Sequence, residues 1–218
     1  MKIGILFDLD GTLLDTLEDL ICAVNHTLRH FGYPERTGKE IRRFLGNGAE
    51  MLIRLSLPEG VTDDTVAQVL SYYQPYYTAN SQIKTGPYPG IPAALQMLKE
   101  RFPLAIVSNK PDMAVRPLCR QYFGDIYARG ESEDCPRKPA PDMVRKAMEA
   151  IGVDACIYVG DSDVDVLTAR NAGVPCVSVT WGFQDRPQLE AAEAKVFCDD
   201  PAKLPDILQS VATEYYGI

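Results

Sequence analysis

Four short apolar runs constrain this chain most. Ile3-Gly4-Ile5-Leu6-Phe7 is closed by Asp8, Leu104-Ala105-Ile106-Val107 by Ser108-Asn109, and Cys156-Ile157-Tyr158-Val159 by Gly160-Asp161; Pro175-Cys176-Val177-Ser178-Val179 follows soon after. They are short and nearly continuous in apolar character, the pattern of strands buried on both faces of a parallel sheet. Ile126-Tyr127-Ala128 is a weaker fifth candidate. Between the runs, at about 91–101, 113–123, 141–151 and 163–172, apolar residues recur at three- and four-residue spacing, with Pro or Gly at an end of each stretch. Strands alternating with helices of this length predict an α/β fold with a doubly wound parallel sheet. Ligands of such sheets bind beyond the carboxyl ends of the strands, where the clusters at Asp8, Ser108 and Asp161 fall.

Residues 16–82 break the alternation. They offer only helical patterns, at 17–31, 39–45, 49–57 and 64–77, and no buried strand. An inserted helical cap is expected there, leaving residues 1–15 and 83–218 as the sheet domain. Lys84-Thr85-Gly86-Pro87-Tyr88-Pro89-Gly90 has the Pro and Gly content of a hinge or re-entry segment. A chain of 218 residues with 46% apolar composition can bury one such core plus an insertion.

The formal charge of −8 works against attraction to nucleic acid or an anionic membrane, which leaves a small-molecule substrate as the default. The six cysteines contain no CxxC pair and no apolar run reaches span length, so a cytoplasmic, reducing location is expected. Whether the protein is a monomer or a dimer is open at this stage.

Chemistry concentrates at the strand ends. Asp8-Leu9-Asp10-Gly11-Thr12 places two carboxylates two residues apart, which an extended backbone turns to one side. Alone, the segment is equally well an Asp-Gly turn. Gly160-Asp161-Ser162-Asp163-Val164-Asp165 follows another buried run, and alone it would be a helix cap with first-turn acids. Together, two strand ends delivering several carboxylates would repel unless a cation sat among them, and hard oxygen ligands suit Mg²⁺. A calcium-binding loop is excluded, because Val166 stands where that loop needs glycine and Ala172 where it needs glutamate.

Ser108-Asn109-Lys110-Pro111, expected at a strand end and opening a helix, offers a hydroxyl and backbone N–H groups to an anion, or else is an ordinary cap. Lys138 stands on a stiff approach, Lys138-Pro139-Ala140-Pro141, to the next helix; alone it would be a solvated charge. His26 and His30 are four apart, but Thr27 follows His26, so the HExxH zinc pattern fails. No GxSxG elbow, Walker loop or GxGxxG fingerprint occurs.

The four clusters, in this order, resemble the haloacid dehalogenase superfamily of phosphohydrolases over nearly the whole chain. Asp8-Leu9-Asp10-Gly11-Thr12-Leu13-Leu14-Asp15 is similar to its first motif, Ser108 to the second, Lys138 to the third, and the run from Gly160 to Asp165 to the fourth. The insertion after the first motif looks like a type 1 cap. Val107-Ser108-Asn109-Lys110-Pro111, Arg137-Lys138-Pro139-Ala140-Pro141, Pro87-Tyr88-Pro89-Gly90 and Val179-Thr180-Trp181-Gly182 look most like the phosphoglycolate phosphatase subgroup.

The resemblance implies Asp8 as the nucleophile that becomes an aspartyl phosphate, and Asp10 as general acid and then base. It implies Mg²⁺ held by the Asp8 carboxylate, the Asp10 carbonyl and Asp161, with Asp165 a direct or water-mediated ligand. Ser108, Asn109 and Lys138 would bind the phosphoryl group. The expected substrate is a small phosphorylated metabolite, 2-phosphoglycolate first. In the cap, Arg36, Lys39, Arg42 and Arg43 outnumber Glu35 and Glu40 beside the turn Gly46-Asn47-Gly48, and Arg43 and Asn47 are the candidates for meeting a substrate carboxylate.

A pyrophosphatase or nucleotidase on the same core is the first alternative. A phosphosugar mutase is disfavoured, since related mutases carry an arginine where this chain has Gly46-Asn47-Gly48-Ala49. A non-catalytic phosphate-binding protein is disfavoured by the presence of both Asp8 and Asp10.

Overall fold

The computed structural model describes residues 1–217. In chain order, β1 (Ile3–Phe7) and the two-residue β2 (Leu14–Asp15) precede four helices, α1 (Leu17–His30), α2 (Gly38–Phe44), α3 (Gly48–Ser56) and α4 (Asp63–Asn80). After β3 (Gly86–Pro87) come α5 (Ile91–Lys99), β4 (Leu104–Pro111), α6 (Asp112–Phe123), β5 (Tyr127–Glu131) and α7 (Asp142–Ile151). The chain closes with β6 (Ala155–Gly160), α8 (Asp163–Ala172), β7 (Cys176–Val179), α9 (Arg186–Ala191), β8 (Val196–Cys198) and α10 (Leu204–Tyr216). Two compact units result, Met1–Leu14 with the chain from Pro87 onward, and Asp15–Gly86.

The first unit is an α/β sandwich around a six-stranded sheet of order β5-β4-β1-β6-β7-β8, parallel throughout. Continuous apolar character in the strands follows from burial on both faces. Ile5, Phe7, Ile106, Ile157, Val159, Val177 and Val179 enter one core with Ile91, Leu95, Leu98, Leu204 and Leu208. Leu6, Ala105, Val107, Cys156 and Tyr158, one residue out of phase, enter the other with Met143, Val144, Ala147 and Ala169. The chain builds outward from β1 to β4 and β5, then returns to the other side for β6, β7 and β8. The order therefore reverses between β1 and β6, the place where open α/β sheets bind their ligands.

The second strand cluster departs from expectation. β4 does not stop at Val107 to let Ser108 open a helix; it runs on to Pro111, and α6 begins at Asp112. A register shift between Val107 and Pro111 keeps β4 beside β5, with Pro111 opposite Glu131. Gly130 permits this approach, because a Cβ there would lie 2.4 Å from the Lys110 carbonyl oxygen.

The helical unit buries one stripe of α1, with Leu20, Ala23, Val24, Thr27 and Leu28, and places Ile41, Leu52, Ile53, Val66, Val69, Tyr73 and Tyr77 in its interior. Its two chain ends are tied by Asp19, a buried carboxylate that accepts the Lys84 and Thr85 backbone N–H groups and the Thr85 hydroxyl. Arg36 is structural: its guanidinium donates to the Ser56 and Leu57 carbonyls at the end of α3, and its backbone pairs with the Asn25 amide. It therefore leaves the tally of basic groups available to a ligand. His26 and His30 stack on Tyr76 and Tyr72 at 3.7 and 3.9 Å between ring centres, a packing role for both histidines. Among the described residues, no helix is long and apolar enough to cross a membrane, and all six cysteines are free thiols.

Candidate active site

Asp8 leaves the end of β1, where its backbone N–H continues the sheet by donating to the Val159 carbonyl at 2.8 Å. Its Oδ1 accepts from the Lys138 ammonium at 2.7 Å. Lys138 is itself fixed at its backbone: its N–H donates to Asn109 Oδ1 at 2.7 Å, and Asn109 Nδ2 donates to its carbonyl at 3.1 Å. Asn109 thus joins the end of β4 to the loop that carries the lysine. The Lys138 ammonium also reaches Asp165 Oδ1 at 2.8 Å and the Tyr158 hydroxyl at 3.2 Å.

Beyond β6, the acids divide their work. Asp165 sits in the first turn of α8, where Oδ2 accepts the backbone N–H groups of Asp161 and Ser162 and the Ser162 hydroxyl. Its Oδ1 accepts from Lys138 and the Tyr158 hydroxyl. Both readings of this segment are therefore combined in Asp165, which caps the helix and also faces the site. Asp161 accepts the Thr12 hydroxyl on Oδ1 at 3.0 Å and the Phe183 N–H on Oδ2 at 2.7 Å.

The strap Trp181-Gly182-Phe183 fits only because residue 182 lacks a side chain; a Cβ there would lie 2.3 Å from the Asp161 Cβ and 2.4 Å from the Gly11 carbonyl oxygen. Trp181 Nε1 donates to the Thr12 carbonyl at 3.0 Å, closing the strap onto the loop that follows Asp8.

Asp10 stands apart from this buried group. Its side chain is 19% exposed, and its Oδ1 accepts from the Lys110 ammonium at 2.9 Å, while the Lys110 side chain is only 5% exposed. The backbone N–H of Lys110 donates to the Ser108 hydroxyl oxygen at 3.1 Å. Ser108, Asn109 and Lys110 are all buried.

The charge balance is crowded. Asp8, Asp161 and Asp165 each bring an oxygen within 4.8 Å of the others, all three buried. Burial, with Asp165 and Asp10 adding and Lys138 opposing, pushes the Asp8 carboxyl up to about 7. Burial likewise raises Asp161 well above the usual carboxylate range, helped by Asp8 and Asp165. Burial pulls Lys138 down, but Asp165 and Asp8 outweigh it and hold the ammonium well above its ordinary value. An all-oxygen donor set whose members resist ionising together fits a hard divalent cation, which would neutralise them.

In the helical unit, Arg43 on α2 and Asn47 are exposed. Asn47 stands at the start of α3 without a side-chain capping bond, between Gly46 and Gly48, whose φ angles of 110° and 80° are those of left-handed backbone. Sequence reasoning did not single out Lys110, Thr12, Tyr158 or Phe183 for the site. Lys110 lay inside a motif chosen for its serine, and Tyr158 inside a run chosen for being apolar.

A buried carboxylate at the end of the central strand, a lysine bonded to it and an all-oxygen cluster beside it at the switch point suit the chemistry of a phosphohydrolase. The chain belongs to the haloacid dehalogenase-like hydrolases, whose family model matches residues 5–179, and it is a phosphatase of that family. Curated relatives include the phosphoglycolate phosphatase of Rhodobacter capsulatus, 35% identical over 96% of this chain and 98% of that one. Another is the phosphoglycolate phosphatase of Pseudomonas putida, 34% identical over 90% of this chain and 76% of the relative.

Among solved structures, a protein of Lactobacillus delbrueckii subsp. bulgaricus with a provisional phosphoglycolate phosphatase assignment superposes with a TM-score of 0.88. It is 35% identical over 94% of this chain and 97% of that one. CbbY of Rhodobacter sphaeroides, solved in complex with phosphate, superposes with a TM-score of 0.75 at 25% identity, over 96% of this chain and all of that one.

Proposed function

We propose that this phosphatase hydrolyses 2-phosphoglycolate or a closely similar small phosphate monoester through an aspartyl phosphate on Asp8. The observation that carries the reading is the Asp8 carboxylate itself, central in the sheet, bonded to Lys138 and flanked by Asp161 and Asp165. In the first step an Asp8 oxygen bonds to phosphorus as the P–O bond to the leaving group breaks, and Asp10 gives its proton to the departing leaving-group oxygen. In the second, Asp10 takes a proton from water as the water oxygen attacks phosphorus and the Asp8 carboxylate leaves. Splitting one hard displacement into two is the advantage of a covalent intermediate. The Ser108 hydroxyl and the Lys138 ammonium hold the phosphoryl oxygens, and Asn109 serves by fixing the Lys138 backbone.

The Asp8 carboxylate, the Asp10 carbonyl and Asp161 would hold Mg²⁺. Asp165, whose oxygens already accept from Lys138, Tyr158, Ser162 and the Asp161 N–H, would act on it through water. When bound, the ion supplies positive charge to the phosphoryl group and relieves the repulsion among the acids. Arg43 and Asn47 are assigned the choice of leaving group, with a carboxylate as the chemistry they suit.

The subgroup likeness of the curated relatives supports phosphoglycolate. A panel of phosphoglycolate, pyrophosphate, nucleotides and hexose phosphates, assayed with Mg²⁺ for released phosphate, tests it. Phosphoglycolate should rank among the highest in kcat/KM. Pyrophosphate or a nucleotide ahead by about 10²-fold, close to 2.7 kcal/mol in barrier, would move the substrate assignment and leave the phosphatase chemistry in place.

A further inference from the structure

We infer that Lys110 is a positioning residue for Asp10: its buried ammonium holds one carboxyl oxygen of the acid–base group so that the other faces the reacting phosphate ester. The inference rests on the proposed acid–base role of Asp10 and adds a residue to it.

Three observations carry it. The ammonium donates to Asp10 Oδ1 at 2.9 Å, and of the two side chains the carboxylate is the more exposed, 19% against 5%. The lysine thus stands behind the acid, out of the substrate's way. The Lys110 backbone N–H bonds the Ser108 hydroxyl oxygen, so one residue sets the attitude of both Ser108 and Asp10. The register shift between Val107 and Pro111, which Gly130 permits, is what carries β4 through Lys110 instead of ending it at Ser108.

The chemical consequence follows from charge development. When Asp10 gives its proton to the departing alkoxide, negative charge grows on its carboxyl group, and a fixed ammonium at hydrogen-bond distance stabilises that charge in the transition state. The pair is buried enough for the attraction to be weakly screened, and a charge-assisted bond keeps the carboxyl plane in one orientation. In the second step the same bond presents the ionised carboxylate to water.

The test uses the leaving group as its readout. An alkyl phosphate needs a proton on its departing oxygen, whereas p-nitrophenolate departs without one. The full-length wild type, Asp10→Asn, Lys110→Met, Lys110→Arg and the Asp10→Asn/Lys110→Met double variant are assayed for kcat/KM. The substrates are p-nitrophenyl phosphate and the alkyl phosphate the wild type hydrolyses fastest, with a melting curve for each protein.

Lys110→Met should lower kcat/KM for the alkyl ester by about 10²-fold, the scale of a misplaced reacting group, and for the aryl ester by less than about fivefold. Lys110→Arg should restore the alkyl activity to within about tenfold of wild type. The double variant should be no more than about threefold worse than Asp10→Asn alone, as expected of groups acting as one unit. Where Lys110→Met does not fold, Lys110→Gln takes its place in the same comparison.

Equal losses on both esters in the lysine variants, or a change below about threefold on both, overturn the inference. If Asp10→Asn itself loses equally on both esters, the acid–base reading of Asp10 fails first, and the lysine result is then read as a defect in phosphate binding through Ser108.

Discussion

In the sheet unit Asp8, Lys138, Asp161 and Asp165 are buried and hydrogen-bonded, with Asp10 half-buried beside them, whereas in the helical unit the candidates for substrate contact, Arg43 and Asn47, stand exposed. Asp165 alone accepts five hydrogen bonds, from Lys138, Tyr158, Ser162 twice and Asp161. The difference separates two tasks. Phosphoryl transfer needs charges held in place, since positioning and charge stabilisation are nearly all a protein contributes to it. Choosing a leaving group needs only contacts that can be exchanged without disturbing that frame.

The contrast is sharpest at Asp8. Asp8→Asn keeps the volume and should lower kcat by at least about 10³-fold while leaving the melting temperature within a few degrees, because it would remove the proposed nucleophile with almost no change of shape. Phosphate release measured beside a thermal melt checks both halves. Turnover within about tenfold of wild type would end the covalent role of Asp8.

Metal dependence divides the buried acids further. Activity should vanish in chelator and return with Mg²⁺, and excess Ca²⁺, with its larger and looser shell, should inhibit. Asp161→Ala should raise the Mg²⁺ concentration needed for half activity more than Asp165→Ala does, whereas Asp165→Ala should lower the melting temperature more, since it leaves Lys138 and the start of α8 without their shared acceptor. The reverse order in the Mg²⁺ titration would make Asp165 the direct ligand.

A smaller effect comes from pH. Asp8 titrates near 7 in the folded metal-free protein against an ordinary 3.8, so between these values the folded state holds a proton the unfolded chain has released. Stability from this group is therefore fully present below about 4 and is lost as pH rises through about 7. Mg²⁺ competes with that proton, so the rise in melting temperature on adding Mg²⁺ should be larger at pH 8 than at pH 5. An equal rise at both values would remove Asp8 from the metal site.

The smallest effects belong to the helical unit. Asn47→Ala and Arg43→Ala should each raise KM for phosphoglycolate by about three- to tenfold, the scale of one exposed polar contact, with kcat little changed. The KM for a carboxylate-free ester should stay within about twofold. Equal effects on both esters would show that these two residues do not choose the leaving group.

The sheet was legible where runs were long and apolar on both faces, as in β1, β4 and β6. β8 was not, because three residues, Val196-Phe197-Cys198, at the edge of a sheet carry too little periodicity to separate from a loop. The acid clusters stood out from sequence because each follows a buried apolar run, whereas Lys138, alone a solvated charge in a loop, was singled out only by the family resemblance; the structure brings its ammonium onto Asp8. Lys110 could not, since from sequence β4 ends before it, and only the pairing with β5 extends the strand and brings the ammonium to Asp10. Arg36 misled in the opposite direction: a charge counted toward a ligand is consumed by the carbonyls at the end of α3.

The strap over Asp161 has one more consequence. Trp181 is the chain's single tryptophan, and its indole N–H is bonded to the loop that follows Asp8. All indole emission of this protein therefore arises beside the Asp8–Asp161 cluster, so its fluorescence is a native optical gauge of that loop. Metal or phosphate titrations can be followed by eye of a fluorimeter on the unlabelled chain, with no dye and no engineered probe.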